Sequence, residues 1–356
     1  MLGAGGVLGG AWLVGALQAI ADETGWDPGS ADVVLGTSAG SMVGGLLACG
    51  VPPWFMVAHS GGEELDGLVD ANGGAVAEAD RSAGTGLRLQ VPALGPGSWR
   101  LALSSLARPY RHAPATLVAG WLPHGPFSTE PLKDTIRRAC SGRWAPHPAF
   151  WAVAVDYGTG RRAVFGRKDA PPARLPDAVA ASCAIPGFYR SVEIAGRRYV
   201  DGGLRSMSNL DVLAGERLDL VVCLNPTSSL HARGSRTLGD RLAMPLRTAS
   251  GRRLGSEARL VRETGAEVVL VQPTVHDLDA MGTNLMSRAR RHEVIETAVR
   301  TMTEHLRETP LGERLAALPR GLPALVRRPD GRPADWPAFE DLARERFAAA
   351  DRRLAS

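Results

Sequence analysis

Three small-residue motifs carry the side chains that could do chemistry. The sharpest is Gly36-Thr37-Ser38-Ala39-Gly40, a G-x-S-x-G pattern. Placed between a strand and a helix, this spacing forms a turn so tight that only small residues fit two places before and after the serine. The hydroxyl of Ser38 is then held proud of the sheet as a nucleophile. The next helix starts directly beneath it, so the backbone N–H of Ala39 and the helix dipole face any oxyanion that develops there. The second motif is Gly3-Ala4-Gly5-Gly6-Val7-Leu8-Gly9, again opening a helix. Its bare glycine N–H groups could cradle an anion or oxyanion. The third is Asp201-Gly202-Gly203.

Each motif has a plainer reading. A G-x-S-x-G arises by chance in a chain with 42 glycines, and the strand–turn–helix context is what raises it above that background. The first glycine loop could be a dinucleotide fingerprint. However, counting from Gly3 and Gly5 the third glycine should stand at position 8, which is Leu8. The one nearby acid, Asp22, falls inside the following helix and not at a strand end. Asp-Gly is also a favoured hairpin turn, which alone would account for Asp201-Gly202. An ordinary Ser–Asp–His hydrolase puts its serine later in the chain and its histidine in a late loop. Of the late histidines, His292 and His305 fall within a helical pattern, and His276 alone is kept in reserve.

The elements that must position these motifs follow from the apolar patterning. A helix is expected over Gly10–Thr24, a buried strand over Ala31–Leu35 and an apolar helix over Ser41–Cys49. Residues 59–130 are broken by glycines and read as an irregular, lid-like insertion with a short helix at Trp99–Ala107. Further expectations are a helix over Ser128–Cys140, strands at Phe150–Val155 and Arg162–Phe165, and a short helix at Asp177–Ser182. A hairpin, Ser191–Ile194 with Arg197–Val200, delivers Asp201. Strands at Leu218–Leu224 and Glu267–Gln272 precede a helix at Arg288–Glu308 and a charged tail helix at Pro337–Leu354. Strands alternating with helices predict an α/β domain with a largely parallel sheet. A glycine loop of this kind normally follows a strand, yet only Met1 and Leu2 precede it. The first strand is therefore expected to be truncated or very short, with the native start several residues upstream.

In this order, the glycine loop, the early G-x-S-x-G and the later D-G-G resemble the patatin-like phospholipase family. Ala180–Phe188 and Asp201–Asn209 add to the likeness, as do Leu224-Asn225-Pro226 and Met281-Gly282-Thr283-Asn284, so the resemblance runs from about Gly3 to Gln272. It implies a three-layer α/β/α sandwich with a mainly parallel central sheet, and a serine acyl hydrolase that cleaves fatty-acyl ester bonds of lipids. Ser38 would be the nucleophile and Asp201 the general base, with Gly5, Gly6 and Ala39 forming the oxyanion hole. Gly9, Gly36, Gly40, Gly202 and Gly203 would be the motif glycines. No metal or organic cofactor is implied. The family loop usually reads G-G-G-x-R-G; here Ala4 and Leu8 depart from it. Leu8 stands where a basic residue would meet a phosphate, so neutral esters and lysophospholipids are substrates on a par with phospholipids. Arg190 and Arg205 are then candidate head-group partners. A catalytically decayed scaffold on the same fold, and acyl transfer through the same dyad, are the rival readings.

Composition sets the outer bounds. The chain has 356 residues, 44% of them hydrophobic and 22% charged, which suits a globular protein. Aromatics at 5% argue against a stacking platform for single-stranded nucleic acid, and a net charge of +4 is too mild for a nucleic-acid binder. Cys49, Cys140, Cys183 and Cys223 lie far apart and read as reduced, buried thiols of a cytoplasmic protein without a metal site. The uncharged stretch Leu2–Ala21 could be a secretory signal, but it has no basic flank and is crowded with glycines. No later stretch reaches the roughly 20 apolar residues that span a bilayer. A lipid or acyl-ester substrate and peripheral membrane contact through 59–130 are the expected partners. The catalytic domain is set at 1–310 and a helical tail at 311–356.

Overall fold

The computed structural model describes residues 1–61, 87–90, 95–107, 114–140, 142–228 and 238–319. The tail helix expected at Pro337–Leu354 and much of the 59–130 segment lie outside the described residues. The elements run α1 (Gly6–Thr24), β1 (Val34–Thr37), α2 (Ala39–Ala48), α3 (Pro53–Gly61), α4 (Trp99–Ala107), α5 (Pro114–Ala119), α6 (Glu130–Ala139), β2 (Phe150–Asp156) and β3 (Arg162–Phe165). They continue α7 (Leu175–Ser182), β4 (Val192–Ile194), β5 (Arg197–Asp201), β6 (Leu220–Leu224), α8 (Leu238–Arg262), β7 (Glu267–Val271), α9 (Val275–Met281), α10 (Arg291–Glu308) and α11 (Pro310–Ala316).

The sheet is parallel at its centre and antiparallel at one side. β1 pairs with β2 and β6 with β7 in parallel, whereas β2 takes β3 and β5 antiparallel, and β4 joins β5. Three residues at the chain start join the two halves. Leu2 bridges Gly36 on one side and Leu224 on the other, both in parallel. Its N–H donates to Leu35 O at 2.8 Å and its carbonyl accepts from Thr37 N at 3.0 Å. Gly3 N–H donates to Leu224 O at 2.9 Å, and the buried Met1 ammonium donates to Val222 O at 2.8 Å. The short first strand is thus paired on both edges. Burial lowers the pKa of that ammonium.

β2 is buried along its whole length, as a central strand covered on both faces must be. Its side chains alternate: Phe150, Ala152 and Ala154 pack with α6 and α7, and Trp151 and Val153 face Leu254, Ala258 and Val261 of α8. These helices on opposite faces make the three-layer α/β/α sandwich. On the α1 side, α10 lays Val294, Ile295, Ala298, Met302 and Leu306 against Leu13, Leu17 and Ile20, and α11 adds Leu311 and Leu315. Gly15 permits this approach, because a Cβ there would lie 2.7 Å from Ile295 O.

Several boundaries differ from the sequence reading. α1 starts at Gly6 and not at Gly10, since the glycines themselves form its first turn, and it stops at Gly25 in the left-handed region (φ 67°). β1 is shifted to Val34–Thr37 because Leu2 draws Gly36 and Thr37 into the ladder. α2 begins at Ala39, directly after the serine, where Ser41 had been expected. α10 begins at Arg291, three residues after Arg288. The other elements expected from the sequence agree to within a residue or two, the span over which helix and strand ends fray, whereas α3, α5, α8, α9 and α11 are not among them.

Candidate active site

Ser38 occupies the single residue between β1 and α2, with φ 54° and ψ −122°, a conformation that a side-chain-bearing residue holds only under strain. Packing fixes the turn. A Cβ on Gly40 would fall inside contact distance of the Leu2 carbonyl, and one on Gly36 would lie 2.5 Å from Gly40 O. Neither position admits a side chain. The Ser38 N–H donates to Ser182 Oγ at 3.0 Å, and Ser182 Oγ donates in turn to Val153 O at 2.6 Å, so the elbow is tied to α7 and β2. Its carbonyl accepts from Ser41 Oγ at 2.7 Å and from Cys183 Sγ at 3.1 Å.

Asp201 ends β5 and reaches Ser38 from the neighbouring chain segment. Ser38 Oγ donates to Asp201 Oδ2 at 2.6 Å, and both residues are buried. The other carboxylate oxygen accepts the Gly203 N–H at 2.7 Å, while the Asp201 N–H donates to Ala184 O at 3.0 Å. Burial raises the pKa of this carboxyl to about 6, and the bonds from Ser38 and Gly203 pull only partly in the opposite direction. Gly202 passes so close under β2 that a Cβ on it would strike the Val153 carbonyl.

The glycine loop lies beside this pair, clamped by three carbonyls from different segments. Gly3 N–H goes to Leu224 O, Ala4 N–H to Met207 O at 2.8 Å, and Leu8 N–H to Leu285 O at 2.9 Å. Gly5 and Gly9 pack on Pro226, and Gly6 takes φ +62° beneath Met286, whose sulfur lies 3.0 Å from the position of a Cβ on that residue. Among the described residues, the N–H groups of Gly5, Gly6 and Val7 donate to no acceptor, and neither do those of Ala39 and Gly40 at the start of α2. Two helix N-termini thus leave free donors near one serine. Leu8 is fully buried and takes no part in a polar site.

The structure therefore brings Ser38 and Asp201 into direct contact and sets the glycine loop and the Ala39 turn around the motif glycines. The reserved His276 stands in the first turn of α9, where Thr274 and Asp277 form a capping box. Three residues that the motifs did not single out support the pair: Ser182, Cys183 and Asn209. Asn209 is fully buried with φ 53°. Its amide donates to Thr37 Oγ1 at 3.2 Å, Gly202 O at 3.3 Å and Ser206 O at 2.6 Å, which links the serine turn to the aspartate turn. Its Oδ1 accepts from Arg162, itself held by Asp211 through two bonds. The buried carboxylate of Glu257, from α8, accepts from Ser208 Oγ and Leu210 N on either side of Asn209. The bonds of Ser182 and Cys183 to Ser38 and of Asn209 to Thr37 join positions 144, 145 and 172 apart and leave no periodic trace in a sequence; only the left-handed preference of asparagine hinted at position 209.

A parallel-centred α/β/α sandwich with a strained serine at a strand-to-helix turn defines the class of α/β proteins that carry a serine elbow. Within that class the chain belongs to the patatin-like phospholipase family, whose model matches residues 1–214. None of the curated proteins matches it. Among the described residues no group of histidine, cysteine, aspartate and glutamate could hold a metal ion, and no helix is long and apolar enough to cross a membrane.

Proposed function

We propose that the protein is a serine acyl hydrolase that cleaves fatty-acyl ester bonds of lipids through a Ser38–Asp201 dyad carried by residues 1–310. The observation that carries this reading is the 2.6 Å bond from Ser38 Oγ to Asp201 Oδ2, made in a buried setting that raises the carboxyl's pKa to about 6. An ordinary aspartate, with a pKa near 4, is a weak base; desolvation makes this one stronger while leaving it ionised at pH 7. Ser38 Oγ attacks the acyl carbonyl carbon and passes its proton to Asp201. The carbonyl oxygen becomes an oxyanion and takes hydrogen bonds from the N–H groups of Gly5, Gly6 and Ala39. Collapse breaks the ester bond, and the departing alcohol takes the proton back from Asp201. Water then attacks the acyl-serine, again losing a proton to Asp201, and the fatty acid leaves as Ser38 is reprotonated.

Family membership supports lipid as the substrate class, and the four buried free cysteines fit a reducing, cytoplasmic setting with lipid met at the membrane periphery. Labelling with a fluorophosphonate tests the reading. Wild type is expected to label and to release fatty acid from lipid esters, while Ser38→Ala does neither. Folded wild-type protein that resists the probe would overturn the dyad and favour a decayed scaffold. A second ester product formed when an alcohol competes with water would instead identify acyl transfer.

A further inference from the structure

Helix α4 has two apolar faces and only one of them has a partner. Leu101, Ala102 and Ser105 are buried against the body of the protein. Trp99, Leu103 and Leu106, at the i, i+4, i+7 spacing of a second stripe, are 59%, 58% and 67% exposed. The exposure continues beyond the helix to Leu89 (75%), Val118 (59%) and Trp121 (42%). Single exposed apolar residues are commonplace, but most of the exposed large ones among the described residues fall within positions 87–122.

This surface is tied to the sheet and to the segments that follow Asp201 and Cys183. Gly97 N–H donates to Leu122 O at 2.7 Å, Tyr157 Oη to Ala119 O at 2.8 Å and Arg198 to Gly97 O at 2.9 Å, which ties α4 and α5 to the sheet. Thr116 Oγ1 reaches Leu204 O at 3.5 Å, only three residues past Asp201. Leu122 packs 3.5 Å from the position of a Cβ on Gly187, in the loop that follows Cys183.

Charge identifies the occupant. Residues 81–129 contain five arginines and not one aspartate or glutamate, in a chain whose acids and bases are otherwise nearly balanced. Arg100 follows Trp99 in α4 and Arg88 precedes Leu89, and both arginines are exposed. An exposed apolar stripe in a segment that carries cations and no anions matches a bilayer with anionic headgroups: the apolar groups enter the acyl boundary, tryptophan sits at the interface and arginine meets phosphate. A protein partner would leave the acid-free composition unexplained.

We infer that α4, together with Leu89, Val118 and Trp121, forms a docking face for anionic membrane. The inference rests on the lipid-hydrolase reading for its purpose but not for its test. Co-sedimentation would be measured with vesicles of phosphatidylcholine alone and of phosphatidylcholine mixed equally with phosphatidylglycerol. Wild type should bind the mixed vesicles far more tightly, and increasing salt should weaken that binding. In the triple variant Trp99→Ser, Leu103→Ser, Leu106→Ser, whose changes are all at exposed positions, binding should fall on the order of a thousandfold, since each of the three lost anchors removes roughly a factor of ten. Arg88→Gln with Arg100→Gln should abolish the preference for phosphatidylglycerol and leave the fold intact. Hydrolysis of a short, water-soluble ester should be unchanged in both variants. Equal binding of wild type and triple variant, or no preference for the anionic vesicles, overturns the docking face whether or not the ester is cleaved. Vesicle binding without ester cleavage would overturn the hydrolase reading alone.

Discussion

Replacing Asp201 by asparagine should make the protein more stable at neutral pH while it stops the chemistry. Asparagine has the shape of the protonated acid: its carbonyl can keep the Gly203 N–H, and its amide can face Ser38 Oγ. In the folded protein the carboxyl is raised from 3.8 to about 6, chiefly by burial. The native state therefore takes up a proton between about pH 4 and pH 6 that the unfolded chain has already released. Because the folded pKa is the higher one, stability from this group is fully present below pH 4 and is lost as pH rises through 6. A shift of about 2 units at 1.36 kcal/mol each puts the cost of the ionised carboxylate at about 3 kcal/mol above pH 7. The substituted amide does not ionise and avoids that cost. Urea unfolding of both proteins at pH 4 and pH 8 measures it: the variant should gain about 3 kcal/mol over wild type at pH 8 and almost nothing at pH 4. The other carboxylates titrate alike in both proteins, so the difference isolates position 201. In the same protein kcat/KM should fall by at least about 10²-fold, and the wild-type value should decline below an apparent pKa near 6. A stability difference that does not change with pH, or a wild type more stable than the variant at pH 8, refutes the desolvated-base argument.

Two further substitutions probe how the pair is held. Gly40→Ala puts a methyl group into the Leu2 carbonyl, so it should cost more than about 3 kcal/mol or leave the protein insoluble, as read by thermal unfolding and soluble yield. Asn209→Ala removes the amide that spans Thr37, Gly202 and Ser206 and leaves a residue at φ 53° without compensation. It should destabilise by about 2–3 kcal/mol and lower kcat with little change in KM, because the reacting atoms shift and the substrate surface does not.

Motifs whose meaning is local could be read from the sequence. Ser38 followed by a helix, Asp201 at a hairpin end and the glycine loop opening α1 all depend on spacings of a few residues, and the α/β alternation depends on runs of Val, Ile, Leu and Ala such as β2. What could not be read depends on partners far apart in the chain. A two-residue strand has no periodicity to detect, so the role of Leu2 emerges only when Gly36 and Leu224 flank it. The glycines read as a loop before Gly10 form the first turn of α1 from Gly6, where Pro226, Leu285 and Met286 pack against them. Glu257 carries no motif in the sequence, and its burial beside Ser208 is visible only in the fold.

The clamping of the glycine loop bears on the order of synthesis. All the motif residues, Gly3 to Gly203, lie within the first 214 positions, the span matched by the family. The carbonyls of Leu224 and Leu285 that fix the loop, and Pro226 that supports it, lie beyond that span. A chain still growing on the ribosome thus holds Ser38, Asp201 and the motif glycines before it holds the residues that fix the loop. A chain cut short at 214 would carry these motif residues without the Leu224 and Leu285 carbonyls and the Pro226 ring that hold the glycine loop in place.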